Sequence, residues 1–217
     1  MTNQPFNSRK GLLAIIVTLL AFLLVVSITL VEGSSPRTTS DLYWTYPSPD
    51  ATGTTTLVRT KNGIEGSIRA EGLRPGNAVT GWFIVFNHPE NCLPDPYDCG
   101  PDDIFLEGYA PGHGPAQADF FVMSGHVIGD DGKGTFSGRL AVDDLRGSGL
   151  AEVACDQQNP DCTVGLTNPE GALVVLATHD HGPKETGQLL VEQISSFLGG
   201  CVGPFNGNVY GMAEGPH

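Results

Sequence analysis

Residues 54–87 read TTTLVRTKNGIEGSIRAEGLRPGNAVTGWFIVFN, and the fold turns on this stretch. Ile64, Gly66, Ile68 and Ala70 alternate with Glu65, Ser67, Arg69 and Glu71. Neighbouring strand residues point to opposite faces, so 64–71 is a strand with one dry face and one wet face. Ahead of it, the β-branched run 54–60 ends at Lys61-Asn62-Gly63, where the Asn-Gly step signals a hairpin. Behind it, Leu73-Arg74-Pro75-Gly76 turns the chain. The segment VTGWFIVFN at 79–87 is apolar on both faces, which makes it a central strand.

The same reading extends towards the C-terminus. FFVMSGHV (120–127) is a strand, and Asp130-Asp131-Gly132 is a turn. Residues 133–141 alternate, with Phe136 and Leu140 inward. A weaker strand is expected at 149–154 and a strong one, GALVVLATH, at 171–179. Leu190, Ile194 and Phe197 recur at helical spacing, so 188–197 is expected to be a helix stopped by Gly199-Gly200. Seven short strands and one late helix predict an all-β class: an antiparallel Greek-key-type β-sandwich over 54–201 with one short C-terminal helix. The Gly-rich tail 202–217 is expected to be loose.

The chain begins differently. Residues 1–10 are polar and end in Arg9-Lys10, and 11–31 then carries no charge. A run of that length can cross a hydrocarbon layer of roughly 30 Å as a helix. Its basic N-terminal flank is expected to stay cytoplasmic, leaving the rest outside. The run fits an uncleaved signal anchor, and Val31-Glu32-Gly33 leaves a cleaved signal peptide as the alternative. The Ser/Thr/Pro-rich stretch 32–53 is expected to be a spacer between this helix and the domain.

Charge and cysteines agree with an outside location. The 217 residues hold 11 Lys plus Arg and 24 Asp plus Glu, a net charge of −13. Such a surface repels phosphate backbones and anionic headgroups, which argues against nucleic acid as a partner. Four of the five cysteines form two C-x6-C pairs in Pro/Asp/Asn-rich loops, Cys92 with Cys99 and Cys155 with Cys162. In an oxidising compartment these read as two local disulfides. Zinc pairs usually sit closer together. Cys201 is left over, as a free thiol, a link between chains, or a cysteine that displaces one of the local pairings.

The phrases GLRPG, GHVIG, HGP and GGC, within a stretch covering most of 57–201, resemble a group of uncharacterised secreted bacterial proteins. The GL-x-PG turn, its following strand and the GTFSG strand also resemble CHRD-type β-sandwiches, which are distantly similar to the copper/zinc superoxide dismutase sandwich. The resemblance implies the fold and carries no activity with it.

Histidine is the first candidate for chemistry. His179 and His181 are two apart, so on a continuous strand their imidazoles share a face and can chelate copper or zinc. The dismutase sandwich uses a His-x-His step of this kind, followed there by an x-x-Gly-Asp phrase where this chain reads HDHGPKETG. His126, with His88 further out, completes the candidate metal set. Alternatively, His179 simply ends a strand and His181 bonds the backbone at Gly182-Pro183. Glu90, Asp95, Asp98, Asp102, Asp103 and Glu107 crowd around the first disulfide and could offer calcium its oxygens, or stand as a solvated acidic loop. No G-x-S-x-G elbow and no phosphate-cradling glycine loop is present, and no carboxylate pair can be singled out. Tyr43, Trp44 and Tyr46 could meet a ligand, lie at a membrane interface or pack on the domain. The expectation is a membrane-anchored or secreted, non-enzymatic binding or structural envelope domain. The alternatives are a copper/zinc protein and a calcium-dependent binder or hydrolase.

Overall fold

The computed structural model describes residues 37–42, 51–153, 155, 162–197 and 199. The apolar run 11–31, the aromatic trio 43–46, Cys201 and the tail 202–217 lie outside the described residues. Among the described residues no helix is long and apolar enough to cross a membrane.

The chain is mostly β, with two antiparallel sheets and few helices. Strands β1 (Arg37–Asp41), β2 (Thr52–Thr60), β3 (Gly63–Glu71) and β6 (Gly134–Ala141) form a four-stranded sheet in the order β1-β2-β3-β6. Strands β4 (Asn77–Phe86), β5 (Ala118–Val127) and β7 (Leu173–Pro183) form a three-stranded sheet in the order β5-β4-β7. The helices are short: α1 (Pro101–Ile104), α2 (Gly149–Val153) and α3 (Gln188–Ser195).

The alternation in β3 is realised as read, with Ile64, Gly66, Ile68 and Ala70 buried and Glu65, Arg69 and Glu71 exposed. Ile64, Ile68, Phe136 and Leu140 of the larger sheet share one apolar cluster with Val79, Phe83, Val85, Phe121 and Leu176 of the smaller sheet. Area removed from water is worth roughly 25 cal/mol per Å², so this shared layer is the main stabilising mass. Gly81 makes the close approach possible, because a Cβ there would strike the Phe136 ring. The β2–β3 hairpin forms one residue away from the Asn-Gly expectation. Thr60 pairs with Gly63, Lys61 and Asn62 make the loop, and Gly63 absorbs the turn at φ +151°.

Two elements differ from the sequence reading. Residues 37–41, read as spacer, form β1 and pair with β2 from Arg37↔Val58 to Asp41↔Thr54. The segment RTTSD is polar and gave no apolar alternation, but that composition suits an edge strand facing water. Residues 149–153, read as strand, are helical. The Ser148 hydroxyl accepts the Ala151 N–H at 3.3 Å, an N-cap ahead of the good helix formers Leu, Ala and Glu.

Both predicted disulfides are formed, with Cα–Cα distances of 5.1 Å for Cys92–Cys99 and 5.3 Å for Cys155–Cys162. They are compatible with an oxidising, extracytoplasmic environment. Two buried polar side chains pin the long loops to the smaller sheet. Asp119 accepts hydrogen bonds from the Phe120, Val164 and Gly165 N–H groups and the Ser148 hydroxyl. Asn87 donates to the Gln117 and Gly165 carbonyls and accepts from the Thr167 and Asn168 N–H groups. All of these groups lie within one compact unit, Ser35–His217, which carries both sheets and their cores.

Thr178 and Arg59 depart from this satisfaction: the Thr178 hydroxyl and the Arg59 Nε are buried with no hydrogen-bond partner among the described residues. A lone buried hydroxyl costs about 1–3 kcal/mol, so Thr178→Val is expected to stabilise the domain by about 1 kcal/mol. Urea denaturation checks this, and a loss of similar size would show that the hydroxyl has a partner.

Candidate functional site

Strand β4 sends its side chains to both faces of the smaller sheet. Val79, Phe83 and Val85 enter the core between the sheets, while Trp82 and Phe86 join a second apolar cluster on the outer face. On that outer face Trp82 stands opposite Ala177, Ile84 opposite Val175 and Thr80 opposite His179. This is why 79–87 reads apolar throughout: both faces are covered. The outer cover comes from the 88–117 segment with its disulfide, from Leu150 of α2 and from Phe197 after α3.

The cover is incomplete. A cleft of about 120 Å³ remains between the disulfide loop and Phe197. Trp82, Ile84, Val175 and Ala177 make its floor. Pro101, Ile104 and Phe105 make one wall, and Phe120 and Phe197 the other. Trp82 stacks on Phe120 with ring centroids 5.8 Å apart, and Phe197 lies 4.1 Å from Trp82 and 4.5 Å from Phe120. His179 is at one end, its ring 5.8 Å from Trp82. Strand alternation turns the neighbouring Thr178 side chain to the opposite face, where it pairs with Gly81.

β7 continues past 179, so His179 and His181 do share one face, with rings 4.4 Å apart at 88°. His181 is buried in a hydrogen-bonded chain. The Trp82 indole N–H donates to Thr80 Oγ1 at 2.6 Å, and Thr80 Oγ1 lies 2.9 Å from His181 Nε2. His181 Nδ1 lies 3.1 Å from the Gly199 carbonyl. That carbonyl can only accept, so Nδ1 carries the proton and Nε2 accepts from the Thr80 hydroxyl. Every member is satisfied only if His181 is neutral. Burial, then the neighbouring His179, lowers its pKa to about 3, against a smaller upward pull from the Gly199 carbonyl.

His126 is not part of this pair. It stands opposite Val79 and its ring stacks on Phe136 at 4.7 Å, which puts it on the inner face of the sheet. Burial lowers its pKa. His88 lies outside, 3.3 Å from Glu90. The set His126, His179 and His181 therefore does not fit a copper or zinc centre: its members are split across the sheet, and both nitrogens of His181 are committed. Among the described residues no group of three or more His, Cys, Asp or Glu side chains could hold a metal ion.

The acidic loop is likewise divided. Asp103 is buried and accepts the Leu93 and Gly100 N–H groups at 2.9 and 2.8 Å, so it holds the disulfide loop together. Glu90, Asp95, Asp98, Asp102 and Glu107 are exposed. The sequence reading missed the cleft and the Trp82–Thr80–His181 chain. The available signal was the doubly apolar β4, which requires a second cover. Searches of family models, of curated proteins and of solved structures find no match to this chain.

Proposed function

We propose that this chain is an extracytoplasmic, non-enzymatic binding module: a Greek-key-type, CHRD-like β-sandwich, anchored by 11–31 or released by cleavage there, that engages an envelope partner through the outer-face cleft. The observation that carries the reading is the cleft itself, an apolar, aromatic-walled opening on a sheet whose only polar cleft side chain among the described residues is His179. Ligand sites are typically concave and apolar with few polar groups. An apolar cavity of about 150 Å³ can hold a benzene ring, so a cleft of this size suits one ring or branched aliphatic group. The committed nitrogens of His181 argue against acid–base or metal chemistry at that residue.

The test uses residues 35–217 with Trp44→Phe, leaving Trp82 as the sole indole. The uncharged dye N-phenyl-1-naphthylamine, inserting its single phenyl ring with the naphthyl group at the opening, is expected to brighten on binding and to change the Trp82 emission. Ala177→Leu, which fills the floor, should weaken dye binding about tenfold, the order expected for loss of 1–2 buried methylenes. Unchanged dye and Trp82 emission would sink the reading.

A further inference from the structure

The wall of the cleft is also its rim. Seven large apolar side chains are exposed among the described residues, and four of them, Leu93, Tyr97, Phe105 and Tyr109, come from the single stretch that builds this wall. Each is 50–53% exposed. Aromatic side chains on a surface are the mark of an interface more than of a solvated loop.

The same stretch is acidic without relief. From Pro75 to Gly132 the chain contains no Lys or Arg. Asp95, Asp98, Asp102 and Glu107 form no ion pair among the described residues. Asp102 sits on α1, between Pro101 and Ile104, which face the cleft. Phe105 lines the apolar opening, and the other exposed apolar side chains and the exposed carboxylates lie on the same stretch of chain as this wall.

Resting on the cleft reading above, we propose that the occupant is an apolar side chain, aromatic or branched, carried by a positively charged peptide segment of a partner protein, with Lys or Arg side chains facing Asp98, Asp102 and Glu107. Complementary charge steers such a partner and selects it over others. The spread of the aromatics along the stretch gives contact for several residues, more than a small cation would use. A second copy of this chain brings the same negative rim and is repelled. The chain's own 202–217 segment holds no Lys or Arg, so it offers nothing to the carboxylates.

The experiment uses residues 35–217 with Trp44→Phe in detergent-free buffer, so that neither dye nor peptide partitions into micelles. Capped peptides KKFKK, SSFSS, EEFEE and KKAKK are titrated and followed by Trp82 emission. KKFKK is expected to bind about tenfold more tightly than SSFSS at about 20 mM salt, with that lead largely lost at about 500 mM as screening shortens. EEFEE and KKAKK should bind weakest. Asp98→Asn, Asp102→Asn and Glu107→Gln combined should remove the lead while leaving SSFSS and the neutral dye unchanged. Equal binding of KKFKK and SSFSS, or of KKFKK and KKAKK, overturns the proposal while dye binding keeps the cleft reading intact. Equal tightening of all peptides on deleting 202–217 makes that segment the occupant and also overturns it. Failure of the dye and of every peptide removes the cleft reading itself.

Discussion

Asp119→Asn is expected to destabilise the domain by about 2–4 kcal/mol, because up to two buried donors lose their acceptor at about 1–3 kcal/mol each, a large share of a typical domain's 5–15 kcal/mol. The reason is the sign of every group around that carboxylate. Oδ1 receives the Phe120 N–H and the Ser148 hydroxyl, each at 2.8 Å. Oδ2 receives the Val164 and Gly165 N–H groups at 3.0 and 2.9 Å. Asn keeps the shape but puts an NH2 where one pair of donors points, so donors face donors in a buried site. Burial pushes the Asp119 carboxyl above the usual carboxylate range, while Gly165, Ser148, Val164 and Phe120 pull it back. Ser148→Ala removes one donor of the four and should cost about 1–2 kcal/mol. Urea denaturation of residues 35–217 reads both, and a loss under about 1 kcal/mol for Asp119→Asn would show that the four bonds do not hold the loops.

Acid should unfold the domain through His181. The folded protein holds this imidazole at about 3, whereas an unfolded chain has it near 6.5. Between those values the unfolded state binds a proton that the folded state refuses. Stability from this residue is therefore fully present above about pH 6.5 and is lost as pH falls towards 3. One pKa unit is worth about 1.4 kcal/mol, so the loss from pH 7 to pH 4 is about 3 kcal/mol and the full loss is at most about 5 kcal/mol. His126, also lowered by burial, adds a smaller effect of the same sign. Denaturation of wild type and His181→Gln at pH 7, 5.5 and 4 isolates the residue, because carboxylates titrate in both. The wild type should lose about 3 kcal/mol more than the variant over that range. Parallel profiles would mean that His181 is protonated without cost.

The sequence speaks where one residue's neighbours along the chain decide its environment. The alternation of β3, the doubly apolar β4 and the two local cysteine pairs are of that kind, and the structure has them all. Partners from distant elements are another matter. His179 and His181 could be placed on one face from their spacing, but Thr80, 101 residues from His181, could not be seen to fix its tautomer. His126 was the harder case. Whether it faces the pair depends on its register against β4 and on a shift at Gly81/Trp82, and neither is written in local spacing. The cleft is a gap left by a loop, a disulfide and Phe197 together, so no single motif announces it. β1 and α2 were missed for opposite reasons: an edge strand needs no apolar face, and one capping serine outweighed a strand-like run.

The order β5-β4-β7 has a consequence in time. Strand β4 finds its β7 partners between Leu173, 87 residues after Phe86, and Pro183, 106 residues after Asn77. The β2–β3 hairpin can close as soon as it exists and β4 can then meet β5, but the other edge of the central strand must wait for nearly the whole chain. Contacts so distant in sequence make folding slow, because loop closure comes before any reward. If the extracytoplasmic location proposed above is reached by export of the unfolded chain, that delay is an asset: the order of its strands keeps it threadable until its last strand is through.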